Sequence, residues 1–276
     1  MHYQKGSGFM AKRAADKFKA QSVESVHEFL QAVNNKVKEW MPNGEYDPWF
    51  RGHMDGSWEL LPGLYRLENE KLARFEKELR AEFRLRAWPY LAETAWKPEG
   101  DWDWYFLMQH YGIPTRLLDW TEGALTALYF SVCEPKHDTD RAVWMIDPRV
   151  LNMKHFKGGG VPNPIVNAHA VDPYLPPSAI SSEIHRMPSR PLAIHPPHKS
   201  PRIAAQQGMF TVHGSKKTAL EAIPELAKRC IKIEIPKSSV AKLREELRIA
   251  GIAETSVFPE LQGLCNELVE FYHYSD

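Results

Sequence analysis

The sequence predicts an α+β fold. Short strands rich in aromatic and β-branched residues are interrupted by helices of unequal length, Ile231-Lys232-Ile233-Glu234-Ile235 alternates cleanly, and no internal repeat is visible. A helical segment over residues 1–45 precedes a body over 46–276, inside which a proline-rich insertion lies at about 148–200. The first element is a helix: Val26, Phe29, Leu30, Val33, Val37 and Trp40 recur at helical spacing, Ser25 with Glu28 reads as a capping box, and Asn43-Gly44 ends it. Asp47 to His53 is a short aromatic strand that Pro48 opens. Glu68 to Trp88 is a second helix with Leu72, Phe75, Leu79 and Phe83 on one face, and its many charges are expected on a solvated outer face.

Trp102 to His110 is a third helix, closed by Gly112 and Pro114. A strand over Arg116–Trp120 leads into a small-residue helix over Gly123–Val132, and Arg141–Ile146 is a strand stopped by Asp147-Pro148. Ten of the 21 prolines then fall between Asp147 and Ser200, which predicts a long irregular insertion. Gln207–His213 and Ile231–Ile235 are strands, and Ser238–Ala250 and Pro259–Tyr272 are helices.

The 276 residues are 43 % hydrophobic and 25 % charged, the balance of a soluble globular protein. Lys plus Arg and Asp plus Glu are equal at 35 each, so no global basic field gathers nucleic acid, and such a substrate needs a local groove. Cys133, Cys230 and Cys265 are odd in number and form neither a disulfide framework nor a zinc pattern. No apolar run approaches the ~20 residues of a membrane span, and no apolar stretch follows Lys5, Lys12 and Arg13. A cytoplasmic protein without membrane contact is the expectation.

Two segments place polar groups inside aromatic and aliphatic runs. They are Trp49-Phe50-Arg51-Gly52-His53 and His110-Tyr111-Gly112-Ile113-Pro114-Thr115-Arg116-Leu117-Leu118-Asp119-Trp120-Thr121. A guanidinium in such a place is either paired inside the scaffold or reserved for an anion, and Gly52 lets another group approach the backbone. These segments, with Ala205-Gln206-Gln207-Gly208-Met209-Phe210-Thr211 and Phe258-Pro259-Glu260-Leu261…Gly263-Leu264, resemble the FRG domain family over roughly Trp49 to Leu264.

The resemblance implies a distant relation to ADP-ribosyltransferases, with a split mixed/antiparallel sheet core and surrounding helices. It further implies the toxic component of an antiphage or toxin–antitoxin system, a cognate antitoxin partner, NAD as substrate, and in some cases RNA as acceptor. In the ADP-ribosyltransferase pattern, Arg51 takes the early phosphate-holding place, Thr121 the second and Gln207 the third. No Glu stands in Gln206-Gln207-Gly208. Either Gln207 suffices, or Glu260 or Asp119 comes in from elsewhere, or a nucleotide is bound without turnover.

Cleaving the nicotinamide–ribose bond calls for a diphosphate clamp, a ring sandwich and an oxygen ligand to a cationic sugar. Contacts to the dinucleotide are expected from Arg51, Gly52, His53, Tyr111, Arg116, Asp119, Trp120 and Thr121, with no metal. Arg51 suits the clamp by its fork geometry, Tyr111, Trp120 or Trp49 could stack, and Asp119, Glu260 or His110 could act as base. Each has a structural alternative. Arg51 can pair with Asp119 or Asp47, and Arg116 is more often a brace. Trp120 can be core, Thr121 a helix cap, and Glu260 a helix-dipole partner. NAD hydrolysis, a non-catalytic nucleotide-binding or interaction module, and a metal-independent nuclease using His53, His110 and Arg116 are the competing activities. His185, His195 and His198 lack metal-site spacing, and Gly158-Gly159-Gly160 lacks that of a phosphate loop.

Overall fold

Seven strands make one mixed sheet: β1 (Gln21–Ser22), β2 (Trp49–His53), β3 (Leu117–Thr121), β4 (Arg141–Ile146), β5 (Leu192–Ile194), β6 (Gly208–Val212) and β7 (Cys230–Ile235). Their order is β1-β7-β4-β2-β3-β6-β5, with β1 parallel to β7 and the other neighbours antiparallel. The fold is α+β. This computed structural model describes residues 21–44, 47–68, 71–91, 97–134, 138–156, 159–176 and 187–273. Lys5, Lys12, Arg13, Gly158 and His185 lie outside the described residues.

Alternation along the strands sorts the core into faces. Phe50, Val143, Met145, Ile233 and Ile235 pack beneath helices α1 (Val26–Trp40), α4 (Ala124–Val132) and α8 (Val240–Ile249). Phe50 is the register partner of Thr121, so Thr121, Asp119 and Leu117 share that face. There Leu117, Phe210, Val212, Leu192 and Ile194 pack against α3 (Asp101–His110). Two helix groups thus cover different parts of one face of the sheet. The opposite face buries Trp49, Leu118, Trp120, Trp144, Ile146 and Met209 with Leu60 and Leu220.

Local signals placed most elements. Ser25 accepts the Glu28 N–H at 3.2 Å and Glu28 reaches back to the Glu24 N–H at 2.8 Å, so α1 starts where the capping box put it. Gly112, at φ 75°, ends α3 in a left-handed cap, with the Ile113 N–H on the Met108 carbonyl at 2.9 Å. Three expectations need correction. The proline-rich insertion is not wholly irregular: it contains α5 (Pro148–Asn152), α6 (Ala168–Val171) and β5, and it buries Val171, Tyr174, Leu192, Ala193 and Ile194. A three-residue strand is too short to show a period. The second helix, α2 (Leu72–Arg86), buries two of its charges, Glu76 and Arg80, and not only apolar side chains. The strand placed at Gln207 starts one residue later, because Gln207 has a left-handed backbone with φ 46°. A short helix that was not expected, α9 (Glu254–Val257), precedes the final helix, which is present as one element, α10 (Leu261–His273).

His213, just past β6, is fully buried with its ring edge-on to Tyr65 at 5.9 Å. Burial pulls its pKa down to about 3, and the Arg116 guanidinium acts in the same direction. The unfolded chain takes up this proton near pH 6.5 and the folded chain does not. Stability is therefore full above about pH 6.5 and falls toward acid, by up to about 1.4 kcal/mol per pH unit from this group. Urea unfolding across that window should show a shallower pH slope for His213→Gln than for wild type. Equal slopes would contradict the assignment. Glu221, pushed up to about 7 by burial, acts in the opposite direction but is common to both proteins.

Candidate functional site

β2 pairs with β4 at five positions and β3 with β6 at five, yet β2 and β3 pair only at Phe50–Thr121. Beyond that pair the ladder opens, and backbone groups along it need other partners. Arg51 supplies one: its Nη1 donates to the Asp119 carbonyl at 2.8 Å and stands 3.6 Å from the Asp119 carboxylate, while Nε donates to His53 Nε2 at 3.0 Å. The Arg51 side chain is 18 % exposed and that of Asp119 54 % exposed. Burial lowers the Arg51 pKa to about 10, Asp119 opposes this, and Arg66 adds repulsion. His53 lies well below its ordinary value, first through burial and then through Arg51 and Arg66, so its Nε2 stays an acceptor. Gln109 at the end of α3 donates to the Asp119 carboxylate at 2.7 Å and accepts from Thr115 Oγ1 at 2.5 Å.

Thr121 and Gln207 meet at the entry to α4. The Thr121 hydroxyl donates to the Gln206 carbonyl at 2.6 Å and accepts the Gly123 N–H at 2.9 Å; the Glu122 N–H reaches the Gln207 carbonyl at 3.2 Å. A β-carbon on Gly123 would stand 2.8 Å from Thr126 Oγ1, 3.0 Å from Gln207 Oε1 and 3.3 Å from Thr121 Oγ1. Three side-chain oxygens therefore surround the bare α-carbon of Gly123. Gln207 is the one described non-glycine residue with positive φ, a conformation costing about 1–2 kcal/mol unless its surroundings hold it.

The next residue after Gln109 carries the third group. His110 Nε2 is 3.9 Å from the half-exposed Glu260 carboxylate. Burial lowers the His110 pKa, Arg202 adds to this, and Glu260 opposes it. Arg202 lies over the Phe258 ring at 4.7 Å, and Gln206 Nε2 donates to the Val257 carbonyl at 3.1 Å. The C-terminal turn of α3 thus has Asp119 beside one residue and Glu260 beside the next. Tyr111, 58 % exposed, follows them and also lines an apolar cavity of ≈ 500 Å³ with Leu79, Phe83, Leu107 and Ile113.

Other predicted contacts have different places. Arg116 is 1 % exposed and held by Glu76, so it is a brace and presents no donor to a ligand. Trp49 and Trp120 are core, with the Trp120 indole N–H on Thr211 Oγ1 at 3.1 Å. The close approach that Gly52 permits is made by α4, since a β-carbon there would stand 2.1 Å from the Ala127 carbonyl oxygen. Among the described residues, no group of three or more His, Cys, Asp and Glu side chains could hold a metal ion, and no helix is long and apolar enough to cross a membrane.

Sequence reasoning overlooked Gln109 and gave Thr115 no role of its own. Gln109 directly precedes the segment already singled out and Thr115 lies inside it, and their polarity beside apolar neighbours was the available signal. No curated protein and no solved structure matches the chain. The model of the FRG domain family matches residues 47–140, a stretch holding the Phe50-Arg51-Gly52 triplet, the whole His110–Thr121 block, the opening between β2 and β3, and α4. Over residues 47–140 this chain is similar to the FRG domain family.

Proposed function

We propose that the chain binds NAD at the opening between β2 and β3 and transfers ADP-ribose to nucleic acid, RNA in preference to DNA. One observation carries the reading. The Arg51 guanidinium is largely withdrawn from water, yet its close partners are a carbonyl and a neutral imidazole, and its one carboxylate neighbour is half exposed at 3.6 Å. A desolvated cation so lightly neutralised favours an added anion. The single-pair junction of β2 and β3 likewise supports an ADP-ribosyltransferase-like split sheet.

In this reading Arg51 holds the diphosphate, exposed Tyr111 stacks on the nicotinamide, and the oxygens of Thr121 and Gln207 face the ribose. The bond from C1′ to the nicotinamide nitrogen breaks, and the leaving ring keeps the electron pair and becomes neutral. The acceptor oxygen or nitrogen bonds to C1′ and gives its proton to Asp119 or Glu260. Such an activity is toxic to its own cell, which supports a cognate antitoxin partner and a cytoplasmic setting.

Purified protein incubated with labelled NAD and RNA, DNA or protein tests the proposal. Label on a macromolecule with nicotinamide release, both lost in Arg51→Ala, is the expected result. Neither label transfer nor nicotinamide release would overturn it, whereas release without label would make water the acceptor. Expression should arrest growth for wild type and spare it for Arg51→Ala at equal protein level.

A further inference from the structure

The Asp119 carboxylate stands beside Arg51 without closing on it. Its Oδ2 is 3.6 Å from Arg51 Nη1, beyond hydrogen-bonding distance, while the same oxygen accepts the Gln109 side-chain N–H at 2.7 Å. Arg51 Nη1 donates instead to the backbone carbonyl of Asp119 at 2.8 Å. The carboxylate oxygen within ion-pair range of the guanidinium is thus already engaged by an uncharged donor. Two further bonds fix which end of the Gln109 amide faces Asp119. Thr115 Oγ1 accepts the Leu117 N–H at 3.0 Å and gives its own proton to Gln109 Oε1 at 2.5 Å. With its oxygen so occupied, the amide presents its NH2 to the carboxylate. Thr115 is 1 % exposed, and Gln109 lies in the last turn of α3, which Gly112 stops. A half-exposed carboxylate is thereby tied, through two side chains, to the first backbone N–H of β3.

We propose that Gln109 is a positioning residue that holds the Asp119 carboxylate off Arg51 and so keeps the guanidinium open to an anionic ligand. The proposal rests on the reading of Arg51 as the diphosphate holder and adds the device that stops the scaffold from closing on it. Released from Gln109, the carboxylate has less than an ångström to travel from its present 3.6 Å to a charge-assisted bond of about 2.8 Å with Arg51. A pair closed in that way competes with an incoming phosphate for the same N–H groups. A role limited to tying α3 to β3 makes a different prediction: stability falls when Gln109 is replaced, but ligand affinity does not depend on the charge at position 119.

Titration of the full chain with inorganic pyrophosphate and with ADP-ribose, using wild type, Gln109→Met, Asp119→Asn and the double variant, tests the device. Methionine keeps the length of glutamine without its donors, and thermal unfolding shows whether each variant is folded. Gln109→Met should bind both ligands roughly ten-fold more weakly. Asp119→Asn removes the competing charge and should bind at least as tightly as wild type. Adding Gln109→Met to Asp119→Asn should then change affinity by less than about two-fold. Thr115→Val, which touches no atom of Asp119 but frees the Gln109 amide to turn, should show a smaller loss with the same dependence on Asp119, and it serves as the test if Gln109→Met does not fold. An equal loss with and without the Asp119 carboxylate, or no loss at all, overturns the role of Gln109 and leaves the reading of Arg51 standing. A loss confined to proteins that keep Asp119, without any nicotinamide release by wild type, upholds that role and removes the NAD-consuming reading. Failure of wild type to bind either ligand overturns both.

Discussion

Glu76→Ala is expected to remove about 3–5 kcal/mol of folding stability, because it leaves a buried guanidinium without its counter-charge. Glu76 on α2 receives Arg116 Nε at 2.8 and 3.1 Å and the Tyr105 hydroxyl at 2.6 Å, and both members of the ion pair are at most 5 % exposed. Arg116 Nη1 also donates to the His213 carbonyl at 2.8 Å, Nη2 donates to the Tyr174 carbonyl, and the Arg116 N–H meets the Tyr105 hydroxyl at 2.8 Å. One carboxylate thereby ties α2, α3, β3, the end of β6 and the proline-rich insertion. A typical domain has only about 5–15 kcal/mol in total, so this variant should be close to unfolding at body temperature. Urea denaturation should show a lower midpoint with unchanged slope, and Glu76→Gln, which keeps an acceptor but not the charge, should lie between. A loss below about 1 kcal/mol would mean that the pair is dispensable.

Gly52→Ala should be nearly as damaging, through crowding instead of charge. Its β-carbon would stand 2.1 Å from the Ala127 carbonyl oxygen and 2.6 Å from the Ser131 backbone nitrogen, so α4 would have to lift from the sheet. Overpacking a well-filled core costs about 1–3 kcal/mol and occasionally more. Here both obstructing atoms are backbone of one helix, so the upper end is expected. Because α4 begins beside Gly123 and Thr121, the same shift should disturb the proposed ribose end, lowering activity beyond the loss of folded protein. Thermal unfolding together with nicotinamide release checks both effects. Wild-type stability in Gly52→Ala would contradict the packing described.

The sequence revealed what is set by near neighbours. The alternation of Ile231–Ile235, the capping box at Ser25 and the left-handed stop at Gly112 depend on residues within one turn or one strand, and β7, α1 and α3 follow from them. Arg51 and Asp119 were legible because polar groups inside apolar runs are conspicuous anywhere. Glu76 was misplaced for a specific reason. It lies next to Phe75 and Leu79 on the inward side of α2, but burial of a carboxylate depends on Arg116, forty residues away. The left-handed turn of Gln207 and the edge strand Leu192–Ile194 also arise from distant parts of the chain, which no local period encodes.

The most direct measurement is a crystal structure of the protein soaked with ADP-ribose. The account predicts the diphosphate in the opening between β2 and β3, within hydrogen-bonding distance of the Arg51 guanidinium, and a ribose facing Thr121 and Gln207. Ligand bound elsewhere, with Arg51 still confined to Asp119 and His53, would contradict it.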